Sequence, residues 1–109
     1  MRWEDDGAKV TLDLHGVRVD DAEAIVFRAL RLATQYGRIS MKVIHGSSTS
    51  ETLYRNRTIK YALYDLIESG DLDSYISDEL YSESFCTLIL HHSSKEPNVK
   101  RINPFEVFR

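Results

Sequence analysis

The sequence has little cysteine and no long apolar run. Cys86 is the single cysteine among 109 residues, so no disulfide can form within the chain. Its place in the apolar segment 85–90 predicts a buried thiol in a reducing compartment. No stretch approaches the roughly 20 consecutive apolar residues that a membrane-spanning helix needs, and the acidic residues 1–7 lack the apolar core of a signal peptide. These absences predict a cytoplasmic protein with no membrane partner.

An excess of positive charge is also missing. Lysine and arginine together number 14, against 17 aspartate and glutamate residues, which gives a formal net charge of -3. A chain with this charge has no general attraction for nucleic acid, because the polyanion is repelled as a whole. Any nucleic-acid site must therefore depend on a local group of basic residues.

Apolar residues recur with the spacing of strands and helices. The predicted strands are 10–14, 40–45, 72–76 and 85–91, and the predicted helices are 20–36 and a segment that ends at Ser69. This order predicts an α/β fold, a two-layer β-α-β-α-β-β sandwich. Its four-stranded mixed sheet would carry both main helices on one face.

The length of the chain suits a single domain. Residues 1–7 are expected to form an N-terminal extension, 8–92 the domain, and 93–109 a C-terminal tail that packs on the domain or on a partner. Pro97 and Pro104 exclude regular structure where they occur in this tail. The apolar residues of the tail could also join two copies of the chain in a homodimer.

Two His-Gly dipeptides are the most informative feature of the sequence. His15-Gly16 and His45-Gly46 each close a predicted strand and precede a predicted helix. Parallel strands joined by a crossover helix end at the same edge of a sheet. Two imidazoles beside helix N-termini favour acid-base chemistry on an anion. The alternative is that both histidines are turn residues at strand ends.

The segment 12–16, Leu-Asp-Leu-His-Gly, is followed by an amphipathic helix and then by Val-Ile-His-Gly at 43–46. This arrangement resembles the two signature motifs of the small MutS-related (Smr) domain family, over about residues 10 to 90. The resemblance implies a two-layer α/β fold similar to the C-terminal domain of translation initiation factor three. It also implies a nuclease that nicks DNA or cleaves RNA. The family's second motif commonly reads His-Gly-x-Gly, whereas Ser47 and Ser48 follow Gly46 in this chain.

RNA cleavage without a metal needs a base for the 2′-hydroxyl, an acid for the leaving 5′-oxygen, and donors for the phosphoryl oxygens. His15 and His45 are the candidate base and acid, in either order. Asp13 lies two residues before His15 and is predicted to fix the tautomer of its ring. Asp13 could instead pair with Lys42 across the strands. The predicted catalytic residues are therefore Asp13, His15 and His45.

Phosphate contacts are predicted around the two turns and in the segment after the second one. Backbone amides at the start of a helix hold phosphate well, and serine hydroxyls and basic side chains can add to them. The predicted phosphate-binding and nucleic-acid-binding residues are Gly16, Gly46, Ser47, Ser48, Arg55, Arg57 and Lys60. For the three basic residues the alternative is a solvated helix face.

No metal site is predicted, and no cofactor is required. Asp13, His15 and His45 match no compact metal-ligand spacing. His91 and His92 are adjacent on a predicted strand, so they should point to opposite faces and act as strand-end polar residues. Metal-independent cleavage of RNA is therefore the preferred function. The alternatives are a noncatalytic module that binds nucleic acid or the ribosome, and DNA nicking with a divalent metal, since DNA lacks the 2′-hydroxyl.

Overall fold

The computed structural model describes residues 1–46, 58–91 and 96–109. Within these ranges the chain forms a five-stranded mixed sheet and three helices. The strands are β1 (Arg2–Asp5), β2 (Lys9–Asp13), β3 (Ser40–Ile44), β4 (Ile76–Tyr81) and β5 (Phe85–Leu90), and the helices are α1 (Val19–Gln35), α2 (Ile59–Ser69) and α3 (Pro104–Val107). The strand order across the sheet is β1-β2-β3-β5-β4. β2 and β3 are parallel, and the other neighbouring pairs are antiparallel.

The hydrophobic core lies on one face of this sheet. Side chains alternate between the two faces of a strand, and Val10 and Leu12 of β2 are buried on the core face. Met41 and Val43 of β3 pair with them in register and are buried on the same face. Cys86 of β5 is buried there too, as predicted, and burial raises the pKa of its thiol to about 11.

The two long helices cover the core face, as their apolar spacing predicts. α1 confirms the helix predicted at 20–36 to within one residue at each end. α2 ends at Ser69, as predicted, because Gly70 adopts the left-handed conformation that stops a helix (φ 85°). At the other end of α2, the Thr58 hydroxyl accepts a hydrogen bond from the Tyr61 amide. Among the described residues, no helix is long and apolar enough to cross a membrane.

The predicted strand count and element order need correction. β1 lies within residues 1–7, the segment predicted as an extension, and pairs with β2 in antiparallel register. The predicted strand at 72–76 is wrong: residues 71–75 form turns, and β4 begins at Ile76. The observed order in the described residues is β-β-α-β-α-β-β-α with five strands, instead of β-α-β-α-β-β with four. Pro104 was predicted to exclude regular structure, but it begins α3, because proline is tolerated in the first turn of a helix.

A buried ion pair lies at the start of β2 and β3. The Arg38 guanidinium contacts both carboxylate oxygens of Asp5, at 2.8 and 3.0 Å, and both side chains are at most 2% exposed. Arg38 also donates to the carbonyls of Asn98 and Lys100, and the Ile102 amide donates to Asp5. We call this group, Asp5 and Arg38 with 98–102, the anchor end of the sheet.

The described part of the tail lies against the same core. Ile102 and Val107 are buried in the core cluster, and Arg28 of α1 donates through Nε to the Val107 carbonyl at 3.1 Å. Val99 and Phe105 are 87% and 83% exposed. The tail thus contacts its own domain and has exposed apolar side chains. A homodimer formed through these side chains stays a prediction.

Candidate functional site

The two His-Gly turns lie side by side. β2 and β3 are paired in parallel register, and the pairing continues past the strands through a 2.9 Å hydrogen bond from the Leu14 amide to the Ile44 carbonyl. Gly16 and Gly46 both have left-handed backbone angles, φ 83° and 80°, which allow the chain to turn there. We call this edge, residues 15–16 and 45–46, the turn end of the sheet.

His15 lies exposed in the first turn. Its amide donates to Asp13 Oδ1 at 2.9 Å, and its carbonyl accepts from the N-terminal ammonium of Met1 at 3.0 Å. Asp13 was predicted to orient the imidazole, but this contact is to the main chain of His15. Asp13 therefore shapes the turn that carries the ring.

Asp13 also does not form the alternative ion pair with Lys42. The register places Lys42 opposite Thr11, and its Nζ lies 4.2 Å from the centre of the Phe85 ring. Within the described ranges, Asp13 and Lys42 are not joined by an ion pair. The Asp13 carboxylate instead raises the pKa of Arg2, a smaller effect than that of Glu4, which is hydrogen-bonded to the guanidinium.

His45 is buried, with 8% of its surface exposed. Its Nδ1 lies 2.7 Å from the Gly46 carbonyl, which can only accept, so we assign the proton to Nδ1 and the lone pair to Nε2. Nε2 is buried and has no hydrogen-bond partner among the described residues. Burial lowers the pKa of His45, the Gly46 carbonyl partly opposes this, and the charge of Lys60 lowers the pKa further. These effects favour the neutral form of His45.

The His45 ring belongs to a row of three aromatic rings with Tyr64 and Tyr81. Tyr64 of α2 meets His45 edge-on at 5.9 Å between ring centres, and Tyr81, at the end of β4, meets Tyr64 at 4.8 Å. Lys60 Nζ lies 5.7 Å from the centre of the Tyr64 ring. The sequence analysis missed both tyrosines. The four-residue spacing of Lys60 and Tyr64 on a helix was a usable signal, whereas nothing local marked Tyr81.

The predicted phosphate contacts have mixed outcomes. Lys60 is brought close to His45 in the first turn of α2. The Gly46 amide, predicted to hold phosphate, already donates to the Ser84 carbonyl at 3.0 Å, as does the His45 amide. Gly16 lies open in the first turn, with nothing within 4 Å of the position that a Cβ would take. The remaining candidates, Ser47, Ser48, Arg55 and Arg57, lie outside the described residues.

The strand alternation separates the two imidazoles. His45 continues the core-facing series of Met41 and Val43, whereas His15 follows the core-facing Leu14 and is exposed. No hydrogen bond or ring contact joins the two side chains in the described structure. The backbone turns converge, but the rings lie in different surroundings.

The sequence predicted no metal site at Asp13, His15 and His45. Over the described ranges, no group of three or more histidine, cysteine, aspartate and glutamate side chains could hold a metal ion. His91 makes a different contact: its Nε2 lies 2.8 Å from the Asp73 carbonyl. His92 lies outside the described residues.

A parallel strand pair with a His-Gly turn at each carboxyl end, covered by one layer of helices, defines a small α/β domain. The family model of the Smr domain matches residues 12–80, and the chain belongs to this family. Membership suggests a nucleic-acid-binding or nuclease-like module. Neither a curated protein nor a solved structure matched the chain.

Proposed function

We propose that the domain binds RNA at the turn end and cleaves it by acid-base catalysis that requires no cofactor. The observation that carries this proposal is the hydrogen bond between Leu14 and Ile44, which aligns two histidine-bearing turns at one edge. Acid-base cleavage needs two proton-transfer groups near one phosphodiester, and each turn carries one imidazole that has to reach it when RNA binds.

The different surroundings of the two imidazoles suggest their order of action. His45 is neutral with its lone pair on Nε2, so it is the base that takes the 2′-hydroxyl proton as that oxygen bonds to phosphorus. The bond from phosphorus to the 5′-oxygen then breaks, and His15 gives a proton to the leaving oxygen. The products are a 2′,3′-cyclic phosphate and a 5′-hydroxyl. This step requires Nε2 of His45 to become accessible when RNA binds.

Lys60 and Asp13 have supporting roles in this proposal. Lys60 places a positive charge next to His45, where it can stabilise the charge that develops on the phosphoryl oxygens. Asp13 is a positioning residue, since it holds the His15 amide and so fixes the turn. Ser47, Ser48, Arg55 and Arg57 complete the proposed phosphate contacts.

The test is cleavage of end-labelled RNA in the presence of EDTA. Wild type should release 2′,3′-cyclic phosphate ends, and His15→Ala should lower the rate by roughly 10² to 10⁴, the usual worth of a positioned acid-base group. His91→Ala is the matched control, because it removes a histidine whose ring bonds the Asp73 carbonyl instead. RNA binding is measured on the same variants. Equal cleavage by wild type and His15→Ala would contradict the proposal.

A noncatalytic nucleic-acid or ribosome-binding module is the second candidate. The observations that favour it are the burial of His45 Nε2 and the use of the Gly46 amide by Ser84. RNA that is bound but left intact would support this candidate. Cleavage that appears only with added divalent ions, and on DNA, would support metal-dependent nicking instead.

A further inference from the structure

A groove of about 400 Å³ lies beside the first His-Gly turn. It runs between the beginning of α1 and the end of the chain, and its wall includes Gly16 and three arginines: Arg18, Arg28 and Arg109. None of these arginines was among the predicted binding residues. The groove is thus a separate basic feature next to His15.

Positive charge dominates this groove. Three arginines line it, against one acidic residue, Asp21. α1 is 17 residues long and starts here at Val19, so its N-terminal partial charge adds to the same sign. This groove therefore has a local excess of basic side chains, although the net charge of the chain is -3.

The arginines keep donors for a ligand. Arg18 is 81% exposed, and its contact with Asp20 at 4.0 Å is a surface pair of little strength. Arg28 is half-buried and fixed through Nε to the Val107 carbonyl, and in the described structure no hydrogen bond uses its terminal nitrogens. Guanidinium groups bind phosphate through two parallel N–H bonds. One fixed arginine and one exposed arginine can therefore bind consecutive phosphate groups.

We propose that this groove binds the phosphate backbone of the nucleic-acid strand, at nucleotides adjacent to the one that lies at His15. The identity of the strand rests on the proposed function. Gly16 connects the two places, because it belongs to the groove wall and follows His15 directly. The open space around it lets a strand pass close to the backbone. The groove thus sets the path of the substrate, and His15 the position of cleavage.

The salt dependence of binding tests this path. Anisotropy of a fluorescein-labelled single-stranded RNA is measured over a series of sodium chloride concentrations, with His15→Ala as the background so that the RNA stays intact. Each lost phosphate contact should reduce the slope of log K against log salt by about 0.7, and the Arg18→Gln/Arg109→Gln double variant by about 1.4. Arg31→Gln is the matched control, because it removes an exposed charge from the same helix outside the groove. Its slope should be reduced less.

A second measurement uses inorganic pyrophosphate as the probe. Titration should shift the amide NMR signals of Gly16 and Arg18, and the double variant should lose these shifts. RNA binding with an unchanged slope in the double variant would overturn the groove and leave the proposed function intact. Pyrophosphate binding in a protein that binds no RNA would overturn both assignments to nucleic acid. Cleavage is not needed in either measurement, so failure of the catalytic proposal is seen separately.

Discussion

The two ends of the parallel strands β2 and β3 are built in opposite ways. The anchor end buries an ion pair and ties the first strand to the tail through Arg38 and Asp5. The turn end leaves a histidine exposed, keeps two left-handed glycines and adjoins a basic groove. The anchor end uses its polar groups to hold the fold, whereas the turn end leaves the His15 side chain exposed.

A second contrast lies within the turn end. The same dipeptide follows each strand, yet His15 is exposed, whereas His45 is buried and its pKa is lowered by that burial. The cause is a difference of one position in the strand alternation. After β2 the core-facing position belongs to Leu14, and His15 comes one residue later. After β3 the core-facing position belongs to His45 itself. Equal motifs therefore do not imply equal roles.

The largest expected effect concerns the anchor end. Arg38→Met should lower the free energy of unfolding by about 3–5 kcal/mol, because it leaves the Asp5 carboxylate buried without its partner. Arg2→Met is the matched control: its partner is Glu4 on the same strand, at 2.6 Å, and both side chains are more than 60% exposed. Loss of that exposed pair should lower the free energy of unfolding far less, because solvent screens it. Urea unfolding measures both.

Equal losses in the two arginine variants would break the contrast between the ends. It would mean that the Asp5–Arg38 pair contributes no more than a surface pair. RNA binding by folded Arg38→Met should equal that of wild type, since the anchor end contributes no residue to the groove or to the two turns.

The second effect sharpens the contrast between the histidines. His45→Ala should lower the free energy of unfolding by roughly 1–3 kcal/mol, since it empties a buried ring site beside Tyr64. His15→Ala should change it by less than about 0.5 kcal/mol, as for other exposed positions. Urea unfolding of both variants is the measurement. A larger loss for His15→Ala would show that the first turn, and not the second, supports the fold.

The sequence predicted the parts of the fold whose pattern is local. The alternation at 10–14, the helical spacing at 20–36 and the glycine after Ser69 all correspond to β2, α1 and the end of α2. The two edge strands were missed because a strand at an edge need not bury a full face. β1 alternates exposed and half-buried positions, and in β4 Ile76 alone is buried. Asp5 looked like part of an acidic extension because its partner lies 33 positions away.

The site was predictable in part for the same reason. The motif placed the two turns at one edge, since parallel pairing follows from a strand, a helix and a strand. The alternation of Met41, Val43 and His45 also indicated that His45 faces the core. This signal was missed because the two His-Gly dipeptides were treated as equivalent. The tyrosines and the groove arginines come from α2, β4, α1 and the tail, and sequence spacing does not reveal such contacts.

The smallest expected effect is the pH dependence that His45 gives to stability. Its pKa is lowered in the folded state, so as pH falls below the ordinary value of 6.5 the unfolded chain takes up a proton that the folded chain resists. Wild type should therefore lose stability on acidification from about pH 7 to 5, by less than about 1.4 kcal/mol per pH unit from this one group. Urea unfolding at several pH values should show a shallower dependence in His45→Gln. An unchanged slope in His45→Gln would mean that another group is responsible. Asp5 would not explain such a slope. Burial raises the pKa of its carboxyl group, but hydrogen bonds from Arg38, Ile102 and Gly7 outweigh burial and lower this pKa. The stability that Asp5 contributes therefore disappears only at more acidic pH.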